Sequence, residues 1–522
     1  KMSYELFLRR LIPCSGVMYT LWHSRCNEDP ILTPISKLFR KNYSFQRMLP
    51  PFSTTSSCEA PPKATLPKLT MDEVAKHKTA SSLWVVYKNI VYDATDFLEG
   101  HPGGSGKLLL AGGTHLEPFW GVFKQHENRA YVIKDVLGAL PIVGELREED
   151  KVFVHKIDNP YIHEPVRTGG LRYHSITPCN AETEEEGLRT FITDAADYYC
   201  RHHGPVPVIT SSTSHEVSVG GMKMKSDRLK DIGEMKDVTM TMQCGGNRRG
   251  RFEKFKKTSG TQWDIGAIST ATWSGVSLRS VLFHCYTNGE ISAASHVHVT
   301  GVDGTLISLP LSRVLDDSKN VILATKMNGD DIPADHGFPV RLIVPGVVGV
   351  RNIKWVEKID LKGEEADSMW QSGNAYKVLP PSVKDPSEVN IMDFKPMMEM
   401  PVQSAVTNAV KANDGAVEAS GFAYSGGGRK IAKVEVSLDG GVTWSVADLK
   451  EGSEQDSGRA WAWTLWEYKG LDGGKGTVMC RAIDEEGRGQ PGEVEGIWNL
   501  RGLACNVWHE RALDDDDEDE EE

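Results

Sequence analysis

Alternating apolar and polar positions predict antiparallel strands near both ends of the chain. Residues 81–87 (SSLWVVY) and 90–93 (IVYD) alternate on either side of a Lys88-Asn89 turn. Residues 434–438 (VEVSL) and 442–446 (VTWSV) alternate around Asp439-Gly440-Gly441, which is a strong hairpin signal. The tryptophan-dense run at 460–466 (AWAWTLW) alternates in the same way. We therefore expect one hairpin in the first third of the chain, and a second hairpin and a further strand in the last.

The remaining patterns predict an α+β multidomain fold. Helical stretches follow the first hairpin at 107–111 and 130–137. Residues 166–395 mix short strands, helices and glycines without a regular alternation of strand and helix, which favours a mixed α+β domain. Residues 396–512 are rich in strand patterns and suit an immunoglobulin-like β-sandwich.

The chain length and its composition shifts divide the sequence further. A chain of 522 residues is too long for one core. We expect a compact domain at 67–146, a charged hinge at 147–165, the α+β domain and the β-sandwich. An acidic tail at 513–522 ends the sequence. Nine of the 13 net negative charges lie in this tail (residues 514–522 read DDDDEDEEE), so it carries most of the charge imbalance.

The first 66 residues differ from the rest in composition. Residues 1–60 carry eight Lys or Arg against four acidic residues, with many Ser, Thr, Leu and Phe. This composition is typical of a mitochondrial presequence, and an untargeted disordered arm is the alternative. The nine cysteines lack any CxxC pair, and no run approaches 18 apolar residues, so neither a disulfide framework, a zinc ribbon nor a membrane span is expected.

A histidine in the 67–146 domain has the setting of a haem ligand. His101 begins an HPGG turn that exposes its imidazole, and His126 follows between two helical stretches. Apolar residues around both histidines can exclude water. Two imidazoles on opposite faces of the iron leave no open coordination position, which suits electron transfer. The alternative is two structural histidines.

A cysteine in the 166–395 domain has the setting of a metal ligand. Cys244 lies in the glycine-rich loop QCGGNRR, where the nearby Arg248 and Arg249 favour a thiolate. A thiolate is a soft ligand suited to a redox metal, and arginines beside it can bind an oxyanion. A buried structural thiol is the alternative.

Longer motifs resemble two known families. Residues 84–104 (WVVYKNIVYDATDFLEGHPGG) with the downstream His126 resemble the cytochrome b5 family. The chain from about 68 to 510 is similar to the sulfite oxidase family of the animal type. That likeness is carried by the Cys244 loop and by several further motifs: RHHGPVP (201–207), WDIGAIST (263–270), DHGFPVR (335–341), VPGVVG (344–349), Lys354-Trp355 and GIWNLRG (496–502).

The second resemblance implies an active site. Cys244 would be the protein thiolate on a molybdenum-molybdopterin cofactor, beside a haem b held by His101 and His126. Catalytic residues around the anion would be Arg201, Arg249, Trp263, Tyr376 and Arg501, and residues holding the pterin would be His203, Asp303, His336, Arg341 and Lys354. Two departures from the family pattern lie nearby: Gly245 stands where alanine is usual, and His202-His203-Gly204 replaces Asn-His-Leu.

The same resemblance implies sulfite oxidation to sulfate by oxygen-atom transfer. Electrons would then leave singly through the haem to cytochrome c, or to oxygen. A homodimer in the mitochondrial intermembrane space is expected, with neither a nucleic-acid partner nor a membrane span. We also expect the hinge to let the haem domain move between the molybdenum site and the acceptor.

Two other functions remain open at this stage. A nitrate reductase of the same superfamily would run the opposite chemistry, although the haem segment precedes the molybdenum segment here and no flavin segment is expected after residue 512. A non-enzymatic b-type electron carrier is the other alternative, and the combination of Cys244, Arg249 and Arg501 argues against it.

Overall fold

A computed structural model describes residues 66–98, 101, 105–122, 132–151, 160–411, 415–471 and 473–515. The chain divides into two compact units, Lys1–Asn159 and Pro160–Glu522. The expected presequence, His126, part of the hinge and most of the acidic tail lie outside the described residues. None of the helices in the described ranges has the length and hydrophobicity that crossing a membrane requires.

The first unit is a twisted sheet with short helices packed against it. Strands β1 to β6 form a sheet in the order β1-β6-β4-β3-β2, with β5 paired in parallel to β3. The strands are β1 (Lys68–Leu69), β2 (Lys78–Thr79), β3 (Ser82–Tyr87), β4 (Ile90–Asp93), β5 (Thr114–His115) and β6 (Ile142–Leu146). The helices are α1 (Met71–Val74), α2 (Ser105–Leu110) and α3 (Glu117–Val122), followed by a π turn at Val132–Val136 and 3₁₀ turns at Leu137–Ala139 and Glu148–Asp150.

The first predicted hairpin is confirmed. Strands β3 and β4 pair in antiparallel register, with Tyr87 opposite Ile90. Lys88 and Asn89 both have positive φ, 48° and 67°, which is the backbone of a type I′ turn and matches the twist of the flanking strands.

The second unit begins with three sheets, of which two are antiparallel and one is mixed, with β10 and β19 pairing in parallel. Its strand orders are β7-β8-β9, β11-β10-β19-β14-β15 and β12-β13-β16-β17, with β18 paired to β16. The strands are β7 (Leu171–Ser175), β8 (Asn180–Thr183), β9 (Cys200–Arg201), β10 (Glu216–Val219), β11 (Met222–Lys225), β12 (Met235–Gln243), β13 (Ile268–Ser277), β14 (His296–Gly301), β15 (Leu306–Pro310), β16 (Ile322–Met327), β17 (Asp330–Asp331), β18 (Arg341–Ile343) and β19 (Val356–Lys362).

Short helices connect these strands. They are α4 (Glu185–Leu188), α5 (Arg249–Phe255), α6 (Leu278–Cys285), α7 (Asn288–Ala293) and α8 (Leu311–Leu315). The 3₁₀ turns are Ser226–Asp231, Asp317–Lys319, Ala334–His336, Gly349–Arg351, Asn374–Tyr376, Pro386–Glu388, Ile391–Asp393 and Gly426–Gly428. Buried valines, leucines and isoleucines of α6 and of strands β10, β14, β15, β16, β18 and β19 form the largest hydrophobic core. The predicted α+β character is confirmed.

The C-terminal part is a β-sandwich, as predicted. Its two sheets run β24-β25-β21-β20-β28 and β23-β22-β26-β27. The strands are β20 (Gln403–Lys411), β21 (Ala416–Tyr424), β22 (Ile431–Ser437), β23 (Ser445–Val446), β24 (Asp448–Leu449), β25 (Thr464–Leu471), β26 (Thr477–Asp484), β27 (His509–Ala512) and β28 (Asp514–Asp515). Fully buried side chains from both sheets, among them Val406, Val434 and Trp466, form its core.

Two predicted strands of the sandwich are shorter than expected. The second hairpin forms, with Glu435 opposite Val446, but residues 442–444 belong to its loop because Asp439 accepts the backbone N–H groups of Val442 and Thr443 at 2.9–3.0 Å. The tryptophan run enters its strand only at Thr464. Before that point, the Trp461 carbonyl accepts from the Thr241 N–H at 3.0 Å, which ties it to the neighbouring α+β part.

Candidate active site

The Cys244 loop follows directly from the end of strand β12. The Cys244 backbone N–H donates to the Ala267 carbonyl at 2.9 Å, and its carbonyl accepts from the Asn247 N–H at 3.0 Å. The Asn247 side chain in turn accepts from the Ala267 N–H at 3.0 Å. These bonds fix the loop against the start of β13, and the Cys244 side chain, 7% exposed, lines a cleft.

This cleft encloses about 800 Å³, part of it open to solvent. Eight of the residues singled out in the sequence line it together, although they come from widely separated segments: Arg201, His203, Cys244, Asp303, His336, Arg341, Lys354 and Tyr376. The fold therefore brings the proposed metal ligand and pterin residues together with two residues of the proposed anion site, whereas Arg249, Trp263 and Arg501 do not line this cleft.

Arg249 lies near Cys244, and its side chain passes close to three glycines. Its Nε donates to the Arg501 carbonyl at 3.0 Å, and its Nη1 donates to the Thr261 carbonyl at 2.6 Å. A Cβ atom at Gly246, Gly260 or Gly502 would lie 2.3–2.7 Å from the Arg249 side chain. Burial lowers the Arg249 pKa, and the nearby Cys244 opposes that shift.

Two further arginines lie close enough to act electrostatically on this site. Arg201 Nη1 donates at 2.7 Å to the Asn180 side chain and to the His202 carbonyl. Burial lowers the Arg501 pKa, Arg201 lowers it further, and the Arg501 Nε is buried without a hydrogen-bond partner among the described residues. Among the described residues, these three guanidinium groups donate to uncharged oxygens, so their positive charges remain available to an anion.

The two aromatic candidates differ in their placement. Tyr376 ends the 3₁₀ turn Asn374–Tyr376 and lines the cleft; burial raises its pKa and Cys244 raises it further, while Arg201 and Arg249 oppose the shift. Trp263 is fully buried and packs in the same hydrophobic cluster as Cys244 without lining the cleft. Its indole N–H has no acceptor within the described residues.

Two cationic side chains, the buried Arg341 and the half-buried Lys354, line the cleft together with the buried His336. Arg341 donates through Nη1 to the His336 carbonyl at 2.9 Å, while its Nε is buried and finds no partner in the described residues. Burial and then Arg341 lower the Lys354 pKa to about 8, and the same two causes lower the His336 pKa to about 3. Arg341 and Lys354 can therefore compensate a buried phosphate.

The two remaining pterin candidates are less buried. The His203 ring lies 4.2 Å from that of Trp370, centroid to centroid. The Asp303 carboxylate accepts from the Thr305 N–H and hydroxyl at 3.0 and 2.8 Å. A thiol, polar donors and buried cations thus share one cleft, which fits an anionic metal cofactor.

Sequence reasoning misjudged one arginine and missed a carboxylate. Arg248, expected beside the thiolate, instead donates to the Val507 and Trp508 carbonyls at 2.7 and 3.1 Å. The fully buried Glu182 accepts the N–H groups of Asp264 and Gly266 at 2.7 and 2.8 Å and so holds the loop after Trp263. No signal in the run NAETEEE distinguishes Glu182 from its exposed neighbours.

In the first unit, His101 is half-buried, with its ring 5.9 Å from that of Phe97 in an edge-on arrangement. The adjoining hydrophobic core includes Leu98, Leu108 and Leu137, with Phe97 and Phe119 packed against it. This apolar environment fits a haem, as the sequence analysis predicts.

Three protein-family models match the chain. They are the cytochrome b5-like heme/steroid binding domain at residues 70–147, the oxidoreductase molybdopterin binding domain at 203–370 and the Mo-co oxidoreductase dimerisation domain at 394–515.

Full-length relatives are also similar. The chain is 39% identical to sulfite oxidase of Gallus gallus over 85% of this chain and 99% of that protein. It is 40% identical to mitochondrial sulfite oxidase of Homo sapiens over 84% and 83%. Identity to the NADH nitrate reductase of Solanum lycopersicum is 34%, over 61% of this chain and 38% of that protein.

Among solved structures, the sulfane dehydrogenase SoxCD of Paracoccus pantotrophus superimposes with a TM-score of 0.55 at 21% identity. The match covers 69% of this chain and 93% of that one. This likeness supports the fold.

Proposed function

Because this chain belongs to the sulfite oxidase family, we propose that its sulfite-binding pocket is formed beside Cys244 by Arg201, Arg249, Tyr376 and Arg501. The chain is an oxidoreductase that oxidises sulfite at a molybdenum-molybdopterin centre and passes electrons through a haem b. The molybdenum-pterin centre supplies oxygen-atom transfer when bound. What the chain's own residues contribute is binding, orientation and charge.

One observation carries the proposed pocket: three guanidinium groups lie near one another beside a buried thiol, and among the described residues they donate only to uncharged oxygens. Sulfite is a small, strongly hydrated anion, so a site must replace its water shell with fixed donors. Arginine supplies several such donors in a planar group and keeps its charge when buried. Arg249 is held in place by hydrogen bonds to two backbone carbonyls.

Tyr376 and Cys244 take distinct roles in this proposal. Cys244 is the thiolate ligand of molybdenum, since its loop holds the sulfur at the cleft wall. The raised pKa of Tyr376 keeps its phenol protonated, so it donates a hydrogen bond to an oxygen of the bound anion. Trp263 packs in the same buried cluster as Cys244 and so stabilises the pocket without lining it.

We further propose that the pterin is held by His203, Asp303, His336, Arg341 and Lys354. The buried Arg341 and the half-buried Lys354 bind its phosphate. Burial keeps His336 neutral near pH 7, so its ring forms hydrogen bonds without adding charge.

The first unit and the assembly complete the proposal. We propose that His101 and His126 would hold the haem iron, which would supply one-electron transfer. Cytochrome c is the proposed acceptor, with oxygen as the alternative, and the mitochondrial intermembrane space is the proposed location. The proposed domains are residues 67–146, 166–395 and 396–512, with a hinge at 147–165. Residues 396–512 of two copies of the chain would form the interface of a homodimer.

The proposal is tested by adding sulfite anaerobically to the oxidised, molybdenum-loaded protein and following the haem absorption. Rapid haem reduction is expected, and Cys244→Ser should abolish it while leaving the haem spectrum intact. If sulfite leaves the haem oxidised but nitrate oxidises a pre-reduced sample, the chain is a nitrate reductase. If neither anion changes the spectrum, the chain is an electron carrier.

A further inference from the structure

Four buried side chains with metal-ligand atoms meet at the wall of the cleft, apart from Cys244. The ligand atoms of Cys200, His202 and Asp335 all lie within 4.8 Å of one another. The side chain of Cys179 lies next to that of Cys200 and interacts with it, outside this group of three. All four side chains are at most 7% exposed.

The strand register explains why three of these residues face the same side. Ala181 lies opposite Cys200 in the antiparallel β8–β9 pair, and the His202 N–H donates to the Cys179 carbonyl at 3.0 Å, which continues the pairing. Residues two apart on one strand, and residues opposite each other on paired strands, share a face of the sheet. Cys179, Cys200 and His202 therefore project together.

The imidazole of His202 is the observation that points to a ligand. It is 2% exposed, and neither of its ring nitrogens has a hydrogen-bond partner among the described residues. Its Nε2 lies 3.4 Å from the Asp335 carboxylate. Buried polar groups are almost always satisfied in proteins, and an ion bound by the imidazole together with the neighbouring thiol and carboxylate would satisfy this one.

Asp335 is oriented by a second residue. Arg167 donates to its two carboxylate oxygens at 3.1 and 2.6 Å and also to Glu164 at 2.6 Å. A carboxylate offers about four lone-pair positions, so these two bonds leave an oxygen able to coordinate a metal. Metal-bound carboxylates are commonly held in this way by an outer partner.

We propose that Cys179, Cys200, His202 and Asp335 form a structural Zn²⁺ site. Two sulfurs, one nitrogen and one oxygen are a ligand set that tetrahedral Zn²⁺ accepts. Binding releases both thiol protons to solvent. The two thiolates and the carboxylate then carry three negative charges, which Zn²⁺ and the Arg167 guanidinium balance.

The site would fasten the wall of the active-site cleft. It links the start of β8, strand β9 and the 3₁₀ turn Ala334–His336, and these segments carry Arg201, His203 and His336. The inference rests on the four ligands alone and does not depend on which anion the neighbouring molybdenum site oxidises.

The test uses the full-length protein with its haem and molybdenum, supplied with Zn²⁺ and then dialysed against zinc-free buffer. Elemental analysis should find one zinc per molybdenum, and X-ray absorption at the zinc edge should find two sulfur neighbours. A protein that retains no zinc, or zinc with only oxygen and nitrogen neighbours, would contradict the proposal. So would a Cys179–Cys200 disulfide in a peptide map of the zinc-supplied sample.

Variants separate the ligands from their surroundings. Cys200→Ser should lose the zinc, while Cys285→Ser, at a partly exposed cysteine on α6, should retain it. Arg167→Met should weaken zinc binding about 10- to 100-fold without changing the two sulfur neighbours. If Cys200→Ser does not fold, the absorption spectrum of the wild-type protein still decides the question.

Discussion

Replacing Arg249 by methionine removes one guanidinium from the proposed sulfite pocket and keeps much of the side chain's volume. Its Nε and Nη1 are already bonded to the Arg501 and Thr261 carbonyls, and its Nη2 has no hydrogen-bond partner within the described residues. Arg249 therefore has one nitrogen free to donate a charge-assisted hydrogen bond to the anion.

The size of the effect follows from that single bond. A hydrogen bond to a charged group contributes about 1.5–3 kcal/mol. At about 1.36 kcal/mol per tenfold change, its loss corresponds to a decrease of about 10- to 150-fold in kcat/KM for sulfite. Most of the loss should be in KM, because the bond is made to the bound anion before it reacts.

The assay is anaerobic haem reduction at varied sulfite concentrations, with the molybdenum content of each sample measured. Arg251→Met is the matched control, since Arg251 lies two residues on in α5 and is exposed. Arg249→Lys should recover part of the affinity by restoring the charge without the planar donor group. An unchanged KM in fully loaded Arg249→Met would refute the assignment of this pocket.

Three further predictions concern residues that hold the active-site loops in place and a turn of the β-sandwich. Gly245→Ala should leave the sulfite KM unchanged, since the added Cβ would lie 3.2–3.5 Å from its neighbours. Gly246→Ala should raise the KM, because its Cβ would lie 2.3 Å from Arg249 Nη2. Equal KM values in the two variants would contradict this reasoning. Glu182→Gln should lower the free energy of unfolding by about 1–3 kcal/mol in urea titrations, because one of the two buried N–H groups loses its acceptor. An unchanged free energy of unfolding would mean that the amide replaces the carboxylate fully. Asp439→Asn should lower the thermal midpoint at neutral pH, because hydrogen bonds from Thr443 hold the Asp439 pKa at about 2, below the ordinary 3.8. The stability that the ionised carboxylate contributes is lost as the pH falls toward about 2, so the difference in thermal midpoint between variant and wild type should shrink there. A difference that does not change with pH would contradict the assignment.

Local sequence signals predicted those parts of the fold that local chemistry determines. The Lys88-Asn89 turn and the Asp439-Gly440-Gly441 turn require positive φ or side-chain capping, and residues suited to both stand in the sequence. The tryptophan run was mispredicted at its start because the backbone of Trp461 bonds to Thr241, more than two hundred residues away. Alternation in the sequence carries no information about such a partner.

The two adjacent arginines of the cysteine loop show the same limit within the site. Arg248 has the left-handed backbone, φ 62°, and precedes the first residue of α5, so its side chain leaves in a different direction from that of Arg249. From the sequence alone, both residues carry the same charge and are expected to stabilise the thiolate equally. Their difference comes from their surroundings, since the carbonyls of Val507 and Trp508 hold Arg248.

The Arg249 side chain fits in its position only because three residues far apart in sequence are glycines. Gly246 lies in its own loop, Gly260 lies beyond α5, and Gly502 lies after the sandwich strand β26. A methyl group at any of them would collide with the arginine, so the anion site requires all three segments to assemble before the guanidinium can be positioned. Sulfite binding should therefore depend on the packing of the C-terminal segment as strongly as on Arg249 itself, and Gly502→Ala should raise the KM for sulfite although it removes no charged group. An unchanged KM in that variant would mean that Arg249 can reach the anion by another path.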